Sequence, residues 1–398
     1  MIQIHFDQSH KYCYTQIPTR VHWMLKLKTS GAIGVPTGNI NLVLVIDRSG
    51  SMQYDLKLQT AKEAAKKAVS YLKDSDYVTI IDFGSDVKVR YSGNFDKEKV
   101  YRTIDRIDIK GATNFYDALK KAISASGKKG YRNQIILLTD GQPTVGITNE
   151  VKIVDLAKKS NSPIVGIGVG RDYNEILLKN IALTTNGHFV HAADANEVIE
   201  LFRIFAEDVV KGVSDVEVEI KPVQDVKFDF YTGNEKITAL TQVDPPIFKI
   251  PLGILGPNTE SFIYGAAIVP EWDEGDRRIA KITVRYRTNG EIKSEDIDFV
   301  VTYTRDESLV VNNINEEVNR NALAAKFGSE YSTAGDKVTI VDKIRSIVNT
   351  VTDPTLRKEL NTIVQAHTKG DSKTITQTVS ELGKGVTITP DKKKTKDY

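Results

Sequence analysis

A carboxylate and two hydroxyls occupy alternate positions in one short stretch. Asp47, Ser49 and Ser51, in "IDRSGSM", close a stretch that opens at Asn41 and runs through the unbroken apolar residues Leu42 to Ile46. A second run of the same profile, "IILLTDG", ends in Asp140, and between the two "KGATNFYDALKKA" puts Thr113 on a loop just before a helical pattern. Two carboxylates and three hydroxyls are hard oxygen donors, which suit Mg²⁺ or Mn²⁺ and disfavour Zn²⁺. Hydroxyls are weak ligands, and Mg²⁺ demands near-octahedral coordination while giving up water reluctantly. Such a donor set leaves positions for water or for an anionic oxygen supplied by a partner, so the metal becomes a docking point. Taken singly, Asp47 or Thr113 reads as an ordinary cap or turn former. All five together on strand ends read as a site.

The elements that must position these residues are legible as alternating short apolar runs and amphipathic stretches. The runs are "NLVLVID", "YVTIIDF", "NQIILLTD", "PIVGIGVG" and "HFVHAAD"; helical patterns fall at 56–72, 97–107, 116–125, 150–159, 174–183 and 196–211. This alternation predicts a doubly wound α/β domain with a mostly parallel sheet over residues 39–212. "DVKVRYSG", close behind "YVTIIDFGS", predicts one antiparallel edge strand. In such a sheet the ligand crevice lies beyond the carboxyl ends of the strands, where the winding reverses. Asp47 and Asp140 both stand at strand ends.

After Gly212 the period changes to two. Val216, Val218 and Ile220 share one face, as do Ala280, Ile282, Val284 and Tyr286, and Ile297, Phe299, Val301 and Tyr303. Residues 213–305 therefore read as an antiparallel β-sandwich. Residues 1–38 carry the same alternation in Val21, Trp23, Leu25 and Leu27. They are too few to bury those faces alone and are expected to complete the later sandwich, making the α/β domain an insertion in it. Residues 306–385 read as a bundle of three or four helices. One starts at Asp353 as N-cap with Pro354 at the first helical position and a stripe of Leu356, Leu360, Ile363 and Val364, and the last stops at Gly383. Residues 386–398, "VTITPDKKKTKDY", are expected to be a flexible basic tail.

The loop Asp47-Arg48-Ser49-Gly50-Ser51, with Thr113 in "GATN" and Asp140 in "TDG", resembles the metal-ion-dependent adhesion site of the von Willebrand factor A (vWA) family over roughly residues 39–212. The resemblance implies that Ser49, Ser51 and Thr113 bind the metal directly, that Asp47 and Asp140 act directly or through water, and that a partner carboxylate fills the open position. The whole layout resembles stand-alone archaeal vWA proteins. More narrowly, it resembles those that partner a forkhead-associated (FHA) protein in the network controlling archaellum expression, which implies phosphorylation-dependent binding and repression of motility genes. It also resembles the inner subunits of the eukaryotic vesicle coat, but their cysteine zinc module cannot be supplied by the single Cys13.

Phosphorylation candidates are Thr374, Thr376, Thr378 and Ser380 in the last helix, and Thr387, Thr389 and Thr395 beyond it. A Ser/Thr kinase or phosphatase would act on them, and an FHA-domain partner would read the phosphate. Two alternatives differ in class. One is an accessory subunit of an AAA+ ATPase of the chelatase or MoxR type, the same site gripping a carboxylate on the motor or its client. The other is an Mg²⁺-dependent phosphohydrolase with Asp47 as nucleophile. That chemistry wants a second Asp two residues on as general acid, where this chain has Ser49. "RSGSM" is no nucleophile elbow and no dinucleotide or P-loop fingerprint occurs, so the chain reads as non-enzymatic.

Bulk properties agree with a protein-binding role. The 398 residues, 40% hydrophobic and 27% charged, suffice for two or three cores. Fifty-four basic against fifty-two acidic residues leave +2, so no bulk field favours nucleic acid or an anionic membrane. No apolar run approaches the roughly 18 residues of a membrane span, and the start lacks a signal-peptide pattern, so a cytoplasmic location is expected. Cys13 is expected to pack as a small hydrophobe. His188 and His191 lie three apart on a strand, face opposite ways and are expected to be structural.

Overall fold

The computed structural model describes residues 2–29, 38–170, 172–232, 238–288, 291–331 and 336–384. Within them the chain divides into two compact units, residues 38–213 in one and residues 2–29 with 214–384 in the other.

The first unit is a six-stranded sheet in the order Val87–Asn94, Tyr77–Phe83, Asn39–Asp47, Tyr131–Thr139, Ile164–Val169, Phe189–Ala192. Val87–Asn94 is antiparallel to its neighbour and the remaining pairings are parallel. From Leu42 to Ile46 every side chain is buried, so this central strand shows an apolar run rather than alternation, as a strand covered on both faces must. The chain winds from Asn39–Asp47 to one side, then crosses back to Tyr131–Thr139 on the other. That reversal opens a crevice between the two strands' carboxyl ends. The helices are Lys57–Val69, Lys97–Asp105, Phe115–Ala125, Glu150–Ala157, Glu175–Thr184 and Ala195–Lys211. The last five begin on Asp96, Asn114, Asn149, Asn174 and Asp194, whose side chains each accept a backbone N–H from the first turn.

The second unit holds two sheets. One has the order Ile2–Gln8, Thr19–Thr29, Glu260–Val269, Lys227–Phe230; the other Thr238–Leu240, Ile247–Leu255, Val213–Pro222, Gly275–Thr288, Glu291–Thr304, Tyr12–Tyr14. Aromatic rings lock their inner faces together: Phe6 and Phe299 lie 5.0 Å apart, and Phe230 and Phe248 5.1 Å. The N-terminal strand Thr19–Thr29 is central in its sheet, pairing Lys28 with Glu260 through to Thr19 with Val269. Val21, Trp23, Leu25 and Leu27 are wholly buried. Tyr12–Tyr14 pairs in parallel with the end of Glu291–Thr304, and burial pushes the thiol of Cys13 between the two tyrosines up to about 12.

Five helices follow among the described residues: Glu307–Asn312, Glu316–Glu330, Lys337–Ile347, Pro354–Lys369 and Ser372–Lys384. That exceeds the three or four expected, because Glu307–Asn312 is too short to show a period and Glu316–Glu330 buries Ala322, Ala324 and Ala325, which carry little apolar contrast. Asp353 caps its helix through the Leu356 N–H at 2.8 Å with Pro354 in the first turn, and Leu356, Leu360 and Ile363 join the core with Phe262 and Tyr264 of the sheet. Val364 packs at the edge of that core. The last helix runs through Gly383 to Lys384 instead of stopping there. Among the described residues, no helix is long and apolar enough to cross a membrane.

Candidate metal centre

Three loops meet above the crevice. The first leaves the central strand at Asp47 and runs through a 3₁₀ stretch, Gly50–Leu56, before the helix Lys57–Val69. The second carries Thr113 and the third follows Asp140. Backbone hydrogen bonds tie the first loop to the second, from the Gly50 N–H to the Gly111 carbonyl at 2.7 Å and from the Lys110 N–H to the Arg48 carbonyl at 2.7 Å. The third joins the second through the Thr144 N–H to the Thr113 carbonyl at 3.0 Å and the Thr113 N–H to Thr144 Oγ1 at 2.8 Å.

On this frame the five expected donors come together. Ser49 Oγ lies 3.2 Å from Ser51 Oγ, and Ser51 Oγ donates to Asp140 Oδ1 at 2.6 Å. Gly141 sits between the loops: a Cβ there would lie 3.7 Å from both Ser51 Oγ and Thr113 Oγ1, so those hydroxyls face one small space. Asp47 accepts from the Ser49 N–H at 2.8 Å and from Thr139 Oγ1 at 2.5 Å. Asp47, Ser49, Thr113 and Asp140 are all buried, and Ser51 is half-buried.

Three further residues build the site and were invisible to motif reading. Thr139 donates to Asp47 and accepts the Gly141 N–H at 3.2 Å, locking both acidic loops. Arg48 is buried; its guanidinium bonds Asp82 Oδ1 at 2.8 Å and Asp86 Oδ1 at 2.5 Å, and Arg90 takes the other Asp82 oxygen. Lys57 reaches back to Asp140 Oδ2 at 2.7 Å. In the sequence Thr139 looks like part of a β-run, while Arg48 and Lys57 look like surface charges. The only signal for Arg48 was a charged residue between two donors on a loop that has no room to expose it.

The donor chemistry fits a hard divalent cation. Two carboxylates lie close together in a buried place, and the hydrogen bonds to Asp47 come from neutral donors. Burial pushes the Asp47 carboxyl up to about 6 against the lowering effect of its bonds to Thr139 and Ser49, and the nearby Asp140 adds to the rise. A dication would reverse that burden, because its own charge dominates local electrostatics. Among the described residues, no group of three or more His, Cys, Asp or Glu could hold a metal. Any ion here would depend on the three hydroxyls and on outside oxygens, which is the open shell that hard-cation docking needs.

The other candidates do not assemble. Thr374 Oγ1 donates to Asp371 Oδ2 at 2.7 Å, Thr376 Oγ1 to the Ser372 carbonyl at 2.9 Å and Thr378 Oγ1 to the Thr374 carbonyl at 2.8 Å, with Thr378 buried. The side chain of Ser380, and Thr387, Thr389 and Thr395 entirely, lie outside the described residues. His188 stacks on Phe205 with centroids 5.7 Å apart, while His191 Nδ1 lies 3.0 Å from the Tyr173 hydroxyl. The two imidazoles serve different neighbours.

The von Willebrand factor type A domain family matches residues 41–204. Uncharacterized protein YfbK of Escherichia coli (strain K12) is 31% identical over 192 residues, 46% of this chain and 33% of that protein. Inter-alpha-trypsin inhibitor heavy chain H3 of Pongo abelii is 28% identical over 236 residues, 53% of this chain and 27% of that protein. The chain thus spans about a third or less of the length of these relatives. Among solved structures, a von Willebrand factor type A protein from Catenulispora acidiphila superposes with a TM-score of 0.70 at 18% identity, covering 91% of this chain and 89% of that one. The ArnB paralog VWA2 from Sulfolobus acidocaldarius gives 0.66 at 20% identity over 96% and 97%. The human COPII-coat protein Sec24c gives 0.59 at 10% identity over 91% and 59%. At these identities the likeness is one of fold, and it covers nearly the whole chain.

Proposed function

From the premise that residues 41–204 are a von Willebrand factor type A domain, a class whose members commonly mediate metal-dependent contacts between proteins, we propose that this chain docks an acidic side chain of a protein partner onto a bound divalent cation. Asp47, Ser49, Ser51, Thr113 and Asp140 would hold the ion, with Mg²⁺ or Mn²⁺ matching their hard oxygens. When bound, the ion supplies a fixed positive charge with a coordination position open to a carboxylate. The observation that carries the reading is the convergence of Ser51 Oγ, Thr113 Oγ1 and Asp140 Oδ1 around Gly141.

Apolar surroundings favour a protein partner over a small anion. Tyr54 and Leu56, on the loop after Ser51, are 61% and 73% exposed, and Ile109 and Ile147 are exposed on the two loops bonded to it. Large apolar side chains around a charge-binding point match the anatomy of protein interfaces. Phosphoryl transfer through Asp47 is disfavoured, because that carboxylate is wholly buried with both oxygens hydrogen-bonded and Ser49 stands where the general acid would be.

The finer reading is regulatory: a kinase modifies the C-terminal region and an FHA-domain protein reads it, as in archaellum control. Since the hydroxyl of Thr374 is bonded to the Asp371 carboxylate and those of Thr376 and Thr378 to carbonyls of their own helix, Thr387, Thr389 and Thr395 are the acceptors this reading needs. The alternative partner is an AAA+ ATPase meeting the same cation.

A pull-down from native lysate tests the proposal with wild type, Asp47→Ala and a chain truncated after Gly385 as baits, each with Mg²⁺ and with chelator. Loss of the main partner with Asp47→Ala and with chelator is the expected result. Partners that survive both and vanish only on truncation would overturn metal docking and leave the tail as the contact.

A further inference from the structure

Lys57 stands at the first position of its helix, where the helix macrodipole disfavours a cation. The residue before it, Leu56, is left-handed (φ 57) and makes no side-chain cap, and the first turn carries no acid. The five other helices of the same unit all have an Asp or Asn cap and an acidic residue in the first turn. A bulky residue at positive φ is a conformational outlier, and Asp55 before it is left-handed too (φ 53). This unfavourable helix start delivers one contact, the Lys57 ammonium on Asp140 Oδ2 at 2.7 Å, with the lysine side chain 15% exposed and the carboxylate fully buried.

We propose that Lys57 is a built-in counter-cation that makes cation and carboxylate bind cooperatively; the inference rests on the metal-docking reading above. Asp140 divides its two oxygens: Oδ1 takes the Ser51 hydroxyl on the donor side, and Oδ2 takes the ammonium. The ion therefore shares Asp140 with Lys57 and is repelled by it. Asp47, Asp140 and Lys57 together carry one net negative charge, so a bound dication leaves one net positive charge. An anionic ligand then restores neutrality. Without the ammonium the loaded site would already be neutral and would attract a carboxylate less. Lys57 weakens binding of the ion alone and strengthens binding of the anion that follows.

The test is an electron paramagnetic resonance titration of the full chain with Mn²⁺, with and without acetate, for wild type, Lys57→Met and Lys57→Arg. Lys57→Met is expected to bind Mn²⁺ alone roughly tenfold more tightly, the scale of a like charge removed from a partly buried site. Acetate should tighten Mn²⁺ binding in wild type and Lys57→Arg but not in Lys57→Met. Thermal melts of all three establish that they are folded. Folded Lys57→Met that binds Mn²⁺ no more tightly than wild type, or keeps the acetate effect, overturns the role of Lys57 while leaving metal docking intact. Folded wild type that binds no Mn²⁺ overturns both.

Discussion

Short hydroxyl side chains meet opposite fates in the two units. At the strand ends of the α/β unit, the neighbours Ser49 and Ser51 meet groups from far along the chain: Ser51 Oγ, 3.2 Å from Ser49 Oγ, donates to Asp140, and Thr113 Oγ1 faces the same small space at Gly141. In the helix Ser372–Lys384, Thr374, Thr376 and Thr378 are close neighbours in the sequence, yet each hydroxyl bonds a local acceptor: Thr374 the Asp371 carboxylate, and Thr376 and Thr378 the carbonyl four residues back. A helix offers a free carbonyl lone pair four residues back, and a threonine there closes onto it. A loop at a sheet's winding reversal offers no such local acceptor, so its hydroxyls remain available to a common centre. Density of hydroxyls along the sequence is therefore a poor guide to a site, and convergence of strand ends a good one.

The comparison breaks most visibly if the loop frame is removed. Arg48→Met leaves Asp82 wholly buried with Arg90 as its remaining ion-pair partner. Breaking a buried ion pair costs about 3 to 5 kcal/mol, and chemical denaturation should show that loss in the α/β unit.

Acidity should act on the two units in opposite directions. In the metal-free protein Asp47 titrates near 6, above its ordinary 3.8, so the unfolded chain releases that proton first. Its contribution is present below about pH 4 and is lost as pH rises to 6, by about 3 kcal/mol at 1.36 kcal/mol per unit of pKa shift. Denaturation in chelator at pH 4.5 and 6.5 should show the slope in wild type and not in Asp47→Asn. Stabilisation by added Mg²⁺, which needs the ionised carboxylate, should grow across the same window. In the second unit His22, bonded to Asn319 at 2.6 Å, has its pKa lowered from 6.5 by burial. The unfolded chain takes that proton first, so stability there falls as pH drops through 6.5, and hydrogen exchange in Glu316–Glu330 should report it.

One substitution made in both places gives the smallest and sharpest contrast. Thr113→Ala should weaken Mg²⁺ binding about tenfold by calorimetry. Thr376→Ala should leave it unchanged and alter stability by no more than about 0.5 kcal/mol.

The α/β sheet, its antiparallel edge and the alternating sandwich strands were legible because each leaves a period in the sequence. Strands Ile247–Leu255 and Glu260–Val269 were harder. Glu260–Val269 is buried along most of its length and so does not alternate, while Ile247–Leu255 is half-buried at several successive residues. The clustering of Asp47, Ser49, Ser51, Thr113 and Asp140 was legible because their types and spacing form a pattern that chance rarely assembles. Thr139, Arg48 and Lys57 were not, since their roles depend on which loops touch. Lys57 in particular reads as the polar face of an amphipathic helix until the left-handed Leu56 turns it toward Asp140.

The most direct measurement of the central claim is an anomalous difference map from crystals soaked in Mn²⁺. The account predicts one peak between the three loops, about 2.1 Å from Ser49 Oγ, Ser51 Oγ and Thr113 Oγ1, with Asp47 and Asp140 in its surroundings. A map with no peak there, and with the Lys57–Asp140 pair unchanged at saturating Mn²⁺, would contradict it.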